Sequence, residues 1–316
     1  MNLPLFVEEA DYEKGFASHY DKEIRPALEE LESQRMALLN TFKKKVLKFL
    51  IIPWTTIVFL GALIAFKTGE SYLITTVAYN SLLVFIPLAL YMSHPLWKYK
   101  VEVKSKILPL ICSFFGQLTY KNKAEIDESI LALEIFPSYE TASVEDSIEG
   151  NYKDLNLKIF ELILKIHGRK KSRTTFQGLV LIVNHTKDFQ AKTLVTRDLG
   201  GLGNWIEQPK GLERIHLEDP DFENRFEVHG NNQVEARYLL TTAFMERLLK
   251  LSQTPLGRGI RCEFVNKQVV LTLRSNKNIL EPNSVLQSTL SLKTLHLFLA
   301  QMNEIFSLID ALKIQR

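Results

Sequence analysis

The sequence predicts an α+β chain: an N-terminal helical stalk, a two-helix transmembrane hairpin, and a C-terminal cytoplasmic domain of mainly antiparallel strands with two helices, the last closing the domain. Three observations carry that expectation. Two long runs between residues 49 and 92 hold no charged side chain except in the short stretch that separates them. From about residue 144 the apolar residues leave helical spacing for short alternating runs broken by polar turns. After residue 291 a helical stripe resumes and runs nearly to the end.

The bulk properties bound the answer. A chain of 316 residues, 46 % apolar and 24 % charged, suffices for one fair-sized domain with appendages or for two small ones. A net charge of +3 is too small to argue for nucleic acid, and no face reads as a basic stripe with interleaved aromatics. Cys112 and Cys262 stand far apart with no C-x-x-C spacing, which fits a reducing compartment without a disulfide framework. The opening MNLPLFVEEADYEK lacks the basic start and apolar core of a signal peptide, so the chain is expected to enter a membrane by its own spans.

Residues 1–48 form the stalk. Phe16, Tyr20, Ile24, Leu28, Leu31, Leu38, Phe42 and Val46 recur at three-, four- or seven-residue steps, an amphipathic helical pattern. Pro26 suits a first helical turn or a kink, so the stalk is one helix or two. Its stripe fits either a self-associating coil or packing on the chain's own domain. Up to Glu32 there are nine acidic and three basic residues; from Ser33 to Lys48 there are five basic and none acidic. Anionic lipid headgroups favour such a basic end, at roughly 1 kcal/mol per residue near the surface.

Residues 49–92 form the hairpin. Phe49 to Phe66 gives eighteen uncharged residues and Tyr72 to Met92 gives twenty-one. Each reaches the roughly 18–20 residues that cross a bilayer core. Pro53 and Pro87 are tolerated in membrane helices, and Trp54, Tyr72, Tyr91, Trp97 and Tyr99 fall near the span ends as an interfacial belt would. The competing reading, two buried helices of a globular core, leaves the basic flanks unexplained. The connecting KTGES is too short to hold a domain. Arg35, Lys43, Lys44, Lys45 and Lys48 precede the first span, Lys98, Lys100, Lys104 and Lys106 follow the second, and the loop has only Lys67. The positive-inside bias therefore puts both termini in the cytoplasm.

Residues 93–143 connect the hairpin to the soluble domain. From Pro95 to about Tyr120 the pattern is helical, and ILPLICSFFG is too short to span. Residues 121–143 are mixed, with EIDESILALEIF as a short helix. Residues 144–316 make the cytoplasmic domain. LNLKIFELILKIHG, TTFQGLVLIVNHT and KTLVTRDL read as separate strands, the first changing phase near Phe160 as at a bulge. RGIRCEFV and QVVLTLRS flank Asn266-Lys267 and read as a hairpin. QVEARYLLTTAFMERLLKL reads as one helix with Ala236, Leu240, Phe244, Leu248 and Leu251 on one face. The last helix, about Ser291 to Lys313, carries Leu295, Phe298, Met302, Ile305, Ile309 and Leu312 in heptad spacing; as a cap on the sheet it is better explained than as a free coil. A fragment from about Ala124 onward is expected to fold without the spans.

No motif assigns chemistry. His19, His94, His167, His185, His216, His229 and His296 show no metal-ligand spacing. DLGGLGNW holds Gly200, Gly201 and Gly203 but is followed by a poor helix start, so it reads as an ordinary loop rather than a phosphate cradle. GRKKSR reads as a solvated turn whose charge would also suit anionic lipid. LEDPDFENRF concentrates Glu218, Asp219, Asp221 and Glu223 without the alternating ligands of a calcium loop, and reads as an acidic turn before a strand. There is no G-x-S-x-G elbow. No catalytic, cofactor-binding or metal residue is assigned.

Four stretches carry a family likeness: YDKEIRPALEELESQR in the stalk; VEDSIEG at the entry to the soluble domain; FELILKIHGRKKSRTTFQGLVLIV, with Glu161 and Gly178; and LERIHLEDPDFENRFEVHGNNQVEARYLLTTAFMERLLKL. Through them the chain resembles a bacterial family of two-span inner-membrane proteins of unknown function, the domain-of-unknown-function family numbered 3137. The resemblance implies the bacterial cytoplasmic membrane and frequent proximity to LemA-type membrane proteins, with no reaction and no active residues. The expected function is a membrane-anchored, cytoplasmic-facing module that binds a protein partner, a LemA-type protein among them, or a ligand. The alternative is an enzyme acting on a lipid or envelope precursor, with Glu218 and Asp219 in its site. The expected partners are the bilayer, anionic headgroups at Lys43, Lys44, Lys45, Lys48, Lys98 and Lys100, and a second copy through the stalk.

Overall fold

A computed structural model describes residues 3–69, 72–168, 171–197, 209, 211–255, 257, 259–275 and 292–313. It is α+β, with a long helical N-terminal part followed by an antiparallel sheet. The helical part begins with α1 (Phe16–His19), passes through a π turn at Tyr20–Ile24 into α2 (Arg25–Val46), and through a second π turn at Leu47–Ile51 into α3 (Ile52–Thr68). Pro26 and Pro53 each follow a π turn, whose wider hydrogen-bonded ring accommodates the missing proline N–H within the continuous helix. Gly69 ends α3 at φ +76°, its N–H donating to Ala65 O at 2.9 Å, a left-handed stop that suits glycine. The next helix, α4 (Tyr72–Phe115), is one 44-residue element.

The chain divides into two compact units. The first holds Met1–Leu5, Tyr20–Ile107 and Pro282–Ser291. In it Leu28, Leu31 and Leu39 of α2 are buried, as are Tyr99, Val103 and Ile107 at four-residue steps on α4. Tyr99 Oη donates to Leu31 O at 2.9 Å and Lys106 lies 3.4 Å from Glu30, so the stalk's apolar stripe is packed against α4 of the same chain. Glu32 and Arg35 are buried within that stripe, and the guanidinium grips the carboxylate at 2.8 and 2.5 Å, which compensates both charges. The Trp54 indole donates to Ser81 Oγ at 3.0 Å and ties α3 to α4.

The second unit holds Phe6–His19, Leu108–Glu281 and Leu292–Arg316. Its strands are β1 (Gln117–Lys121), β2 (Thr141–Tyr152), β3 (Leu155–His167), β4 (Ser172–Arg197), β5 (Glu213–Ile215), β6 (Phe226–Gly230) and β7 (Arg261–Arg274). They form a sheet in the order β1-β2-β3-β4-β6-β5, with β7 along the other side of β4. The helices are α5 (Glu128–Leu131), α6 (Pro220–Glu223), α7 (Gln233–Leu239), α8 (Thr242–Gln253) and α9 (Leu292–Lys313). Lys153 and Asp154, both at positive φ, make the two-residue turn that joins β2 to β3 with the twist a tight hairpin needs. One core cluster gathers Ile130, Ile135 and Phe136 from the α5 region against Phe160, Leu162, Val180, Leu194 and Val270 of the sheet. Phe264 of β7 meets Phe244 of α8 at 5.6 Å between ring centroids.

Several expectations change. The helix from Pro95 stops at Phe115, and Gln117–Tyr120 belong to β1, because the β2 edge offers Gln117–Lys121 a full antiparallel ladder. TTFQGLVLIVNHT and KTLVTRDL are parts of one 26-residue strand, bent by register irregularities at Asn184/Phe189 and Phe189/Thr193. RGIRCEFV and QVVLTLRS are likewise one strand and not a hairpin. Both halves pair with β4, and Asn266 at φ +54° stays in the strand opposite Phe189, where the register shifts on either side place the extra residues on β4. The helix through Leu240 is two helices, since Thr241 turns extended and its Oγ1 caps Phe244 N, although all five apolar positions are buried as expected. The domain therefore has more helices than the two expected. The bulge expected near Phe160 lies on the partner strand, between Val144 and Ser147 of β2. The last helix is as expected: Leu295, Phe298, Met302, Ile305 and Ile309 are buried, while the Leu312 side chain lies outside the described residues. The sheet unit also draws on Phe6–His19 and on β1, both absent from a fragment that starts at Ala124.

Candidate functional site

Among the described residues one helix, Asp11–Thr68 near the N-terminus, is long and apolar enough to cross a membrane. A soluble core helix of that composition would bury its side chains, whereas Phe59 is 64 % exposed and Phe66 is 90 % exposed. Lys43, Lys44, Lys45 and Lys48 are exposed at its basic approach, and Lys48 Nζ lies 5.3 Å from the Phe49 ring. Lys98 is exposed on α4; the Lys100 side chain lies outside the described residues. So do Glu70, Ser71 and several side chains of the second apolar run, residues 72–74, 77–78 and 82–84.

The acidic stretch 217–226 is used for folding. Asp219 Oδ1 accepts from Asp221 N at 3.0 Å and Phe222 N at 3.1 Å, capping α6, and Glu223 Oε1 accepts from Leu217 N at 2.8 Å. Glu218 is exposed and reaches Arg237 at 3.9 Å. Glu218 and Asp219 do line one open groove of about 440 Å³, with Arg237 as its only basic side chain among the described lining residues. The glycine loop 198–205 lies outside the described residues, as do Arg169 and Lys170 of the basic turn.

The histidines disperse into local roles. His19 Nε2 donates to Leu110 O at 2.6 Å, and His216 faces Glu223 at 3.2 Å. His296 Nδ1 lies 2.7 Å from the buried Glu13; burial pushes that carboxyl up, but the His296 hydrogen bond and the Glu9 N–H outweigh it and hold it low. His229 is pushed down by burial, so it is favoured neutral in the folded chain.

Sequence reading missed a three-carboxylate cluster. Glu145, Asp146 and Glu161 each offer a ligand oxygen, all within 4.8 Å of one another, with Asp146 and Glu161 buried. The β2 bulge makes the cluster, because the extra residue turns Glu145-Asp146 to face Glu161 on β3. Hard oxygen donors of this kind suit a hard divalent cation. Tyr120 Oη already donates to Asp146 Oδ1, and burial followed by that bond pushes the phenol well up. Each of the three carboxylates also has a partner within the chain. The available signal was the acidic pair beside a break in strand alternation.

Glu263 on β7 is fully buried; its Oε2 accepts from Ile135 N at 2.9 Å, and Lys192 stands 3.7 Å from its other oxygen. Burial pushes this carboxyl above its ordinary value of 4.5, with Glu134 adding to the rise and Lys192 opposing it. A folded pKa above the unfolded one means that stability falls as pH rises from about 4.5 through the folded value, and stays lower above it. Glu263→Gln keeps an acceptor for Ile135 and removes the buried charge. Thermal melts should show the variant above the parent in Tm at pH 8, with the gap closing toward pH 4.

No curated protein matches this chain. The crystal structure of the mycobacterial trehalose monomycolate transport factor A, TtfA, is similar at 9 % identity and a TM-score of 0.34, covering 61 % of this chain and 90 % of that one; a likeness so weak supports no argument. Residues 174–314, from β4 to the closing helix, match the model of a family described as "Protein of unknown function (DUF3137)", so this stretch is similar to that family's domain.

Proposed function

We propose that the chain is a membrane-anchored module, held by a two-span hairpin in the bacterial cytoplasmic membrane with both termini in the cytoplasm. The single observation that carries this reading is the exposure of α3's large apolar side chains, which water would not tolerate on a helix of that length. The Trp54–Ser81 bond supports a hairpin of α3 and α4, and the lysines on the approach to α3 and after the second run support the orientation. Lys43, Lys44, Lys45, Lys48, Lys98 and Lys100 face anionic headgroups, and the sheet unit is offered to a ligand or a protein partner, a LemA-type membrane protein being the one implied by the family likeness. The enzyme reading draws no support from Asp219, whose carboxylate is spent on a helix cap.

The test is extraction. In an alkaline carbonate wash the intact chain should stay with the membrane pellet, and deletion of residues 49–92 should move it to the supernatant. An intact chain released by carbonate would be a peripheral protein, and the proposal would be wrong.

A further inference from the structure

Two adjoining cavities in the sheet unit, of about 600 and about 240 Å³, share Arg197 and Gly259 in their walls. Arg173, Arg197, Arg261 and Arg274 line the larger, and Arg225 joins Arg197 in the smaller. Among the described residues no carboxylate lines either one, and Arg173, Arg197, Arg225 and Arg274 form no ion pair. The fold brings these side chains together from far apart in sequence. Arg173 lies at the start of β4 and Arg197 at its end, while Arg261 begins β7 and Arg274 ends it. The bulges curl both strands until a Cβ placed on Gly259, just before β7, would sit only 3.4 Å from the Cβ of Arg274.

Two of the guanidinium groups are held by neutral acceptors. Arg274 donates to Thr175 O, and Arg225 donates to Ser252 O at 3.0 Å. A carbonyl orients a guanidinium without cancelling its charge and leaves most of its five donors unused. Converging like charges oppose one another, and an anion shared among them removes that opposition. One carboxylate is satisfied by one bidentate arginine; several arginines around one space match the three acceptor oxygens and higher charge of a phosphate. Ile135, Ile166 and Phe176 line the same cavity and give it an apolar side.

We propose that this arginine-lined groove binds the phosphate group of a small ligand, either a soluble phosphate compound or the headgroup of a lipid phosphate whose apolar part lies along Ile135, Ile166 and Phe176. The test uses the full chain in a neutral maltoside detergent, titrated calorimetrically with inorganic pyrophosphate and with dihexanoyl phosphatidic acid, dihexanoylglycerol serving as the uncharged control. Saturable binding of at least one phosphate compound is expected, with none for the control. Arg197→Gln should weaken that binding about tenfold or more, since hydrogen bonds to a charged group contribute about 1.5–3 kcal/mol. Arg274→Gln should do the same, Arg197→Lys should retain part of the affinity, and Lys267→Gln, at the exposed middle of β7, should change nothing. Among the described residues Arg197 makes no bond of the kind Arg274 makes to Thr175, so its variant separates lost binding from lost folding. Tighter binding of the phosphatidic acid assigns a lipid phosphate; equal affinities assign a soluble one. Absence of saturable binding by both, or affinities unchanged in both glutamine variants, would overturn the proposal.

Discussion

Removal of residues 292–316 is expected to unfold the sheet unit rather than trim a tail. Leu295, Phe298, Leu299, Met302, Ile305, Phe306, Leu308 and Ile309 of α9 are all buried. Phe306 stacks on Tyr152 at 4.2 Å between centroids and meets Phe115 at 4.9 Å, and His296 stacks on Phe6 at 4.4 Å. Lys153 holds Asp310 at 2.7 Å, and Lys250 of α8 holds Glu304 at 3.1 Å. Burying each large apolar side chain contributes about 1.5–3 kcal/mol, so losing eight exceeds the roughly 5–15 kcal/mol of net stability a domain has. A truncated chain in detergent should lose its cooperative near-ultraviolet melt and be cut by trypsin within the sheet. A melt like that of the parent would show that α9 contributes little to the core.

The second large effect is expected at Gly178. This residue sits in β4 between Leu162 of β3 and Arg274 of β7. A Cβ there would collide with Leu273 O and lie 2.9 Å from Arg274 Cα, both backbone atoms of the paired strand. Neither can move aside without parting β4 from β7. Gly178→Ala should therefore cost about 3 kcal/mol or more, at or above the range for overpacking a core. Gly211→Ala is the comparison: its φ is +74° but nothing lies within 4 Å, so only the backbone preference of about 1 kcal/mol is lost. Denaturant midpoints of the two variants should separate accordingly. Equal midpoints would mean that the β4–β7 pairing yields to the methyl group.

How much of this was legible in the sequence depended on whether a pattern was local. The α9 stripe was, because one apolar face at heptad spacing has one sensible use, and all five of its described positions are buried. The break in β3 alternation at Phe160 was legible as an irregularity, but the extra residue sits on β2, which only the pairing reveals. Asn266-Lys267 reads as a turn because asparagine accepts positive φ; whether the chain reverses there or runs on as one strand is decided by β4, which pairs with both halves of β7. Thr241 interrupts a face that the apolar period alone would continue, since its hydroxyl caps a new helix. The same limit hid the carboxylate cluster and the arginine groove. Glu145 and Glu161 stand on different strands, and Arg173, Arg197, Arg225, Arg261 and Arg274 are spread over a hundred residues that only the curl of the sheet gathers.

The proposed two-span anchor is tested most directly by cysteine labelling in intact cells with a membrane-impermeant maleimide. The native thiols are suited to this experiment: both are buried, with Cys112 pushed up to about 12 by burial and Cys262 pushed well up for the same reason, so neither presents a reactive thiolate. Thr68→Cys places a thiol at the exposed end of α3, and Lys293→Cys places one at the start of α9. The expected result is labelling of the Thr68→Cys chain in intact cells, with labelling of the Lys293→Cys chain only after lysis. Labelling at position 293 before lysis, with position 68 protected, would contradict the hairpin and its orientation.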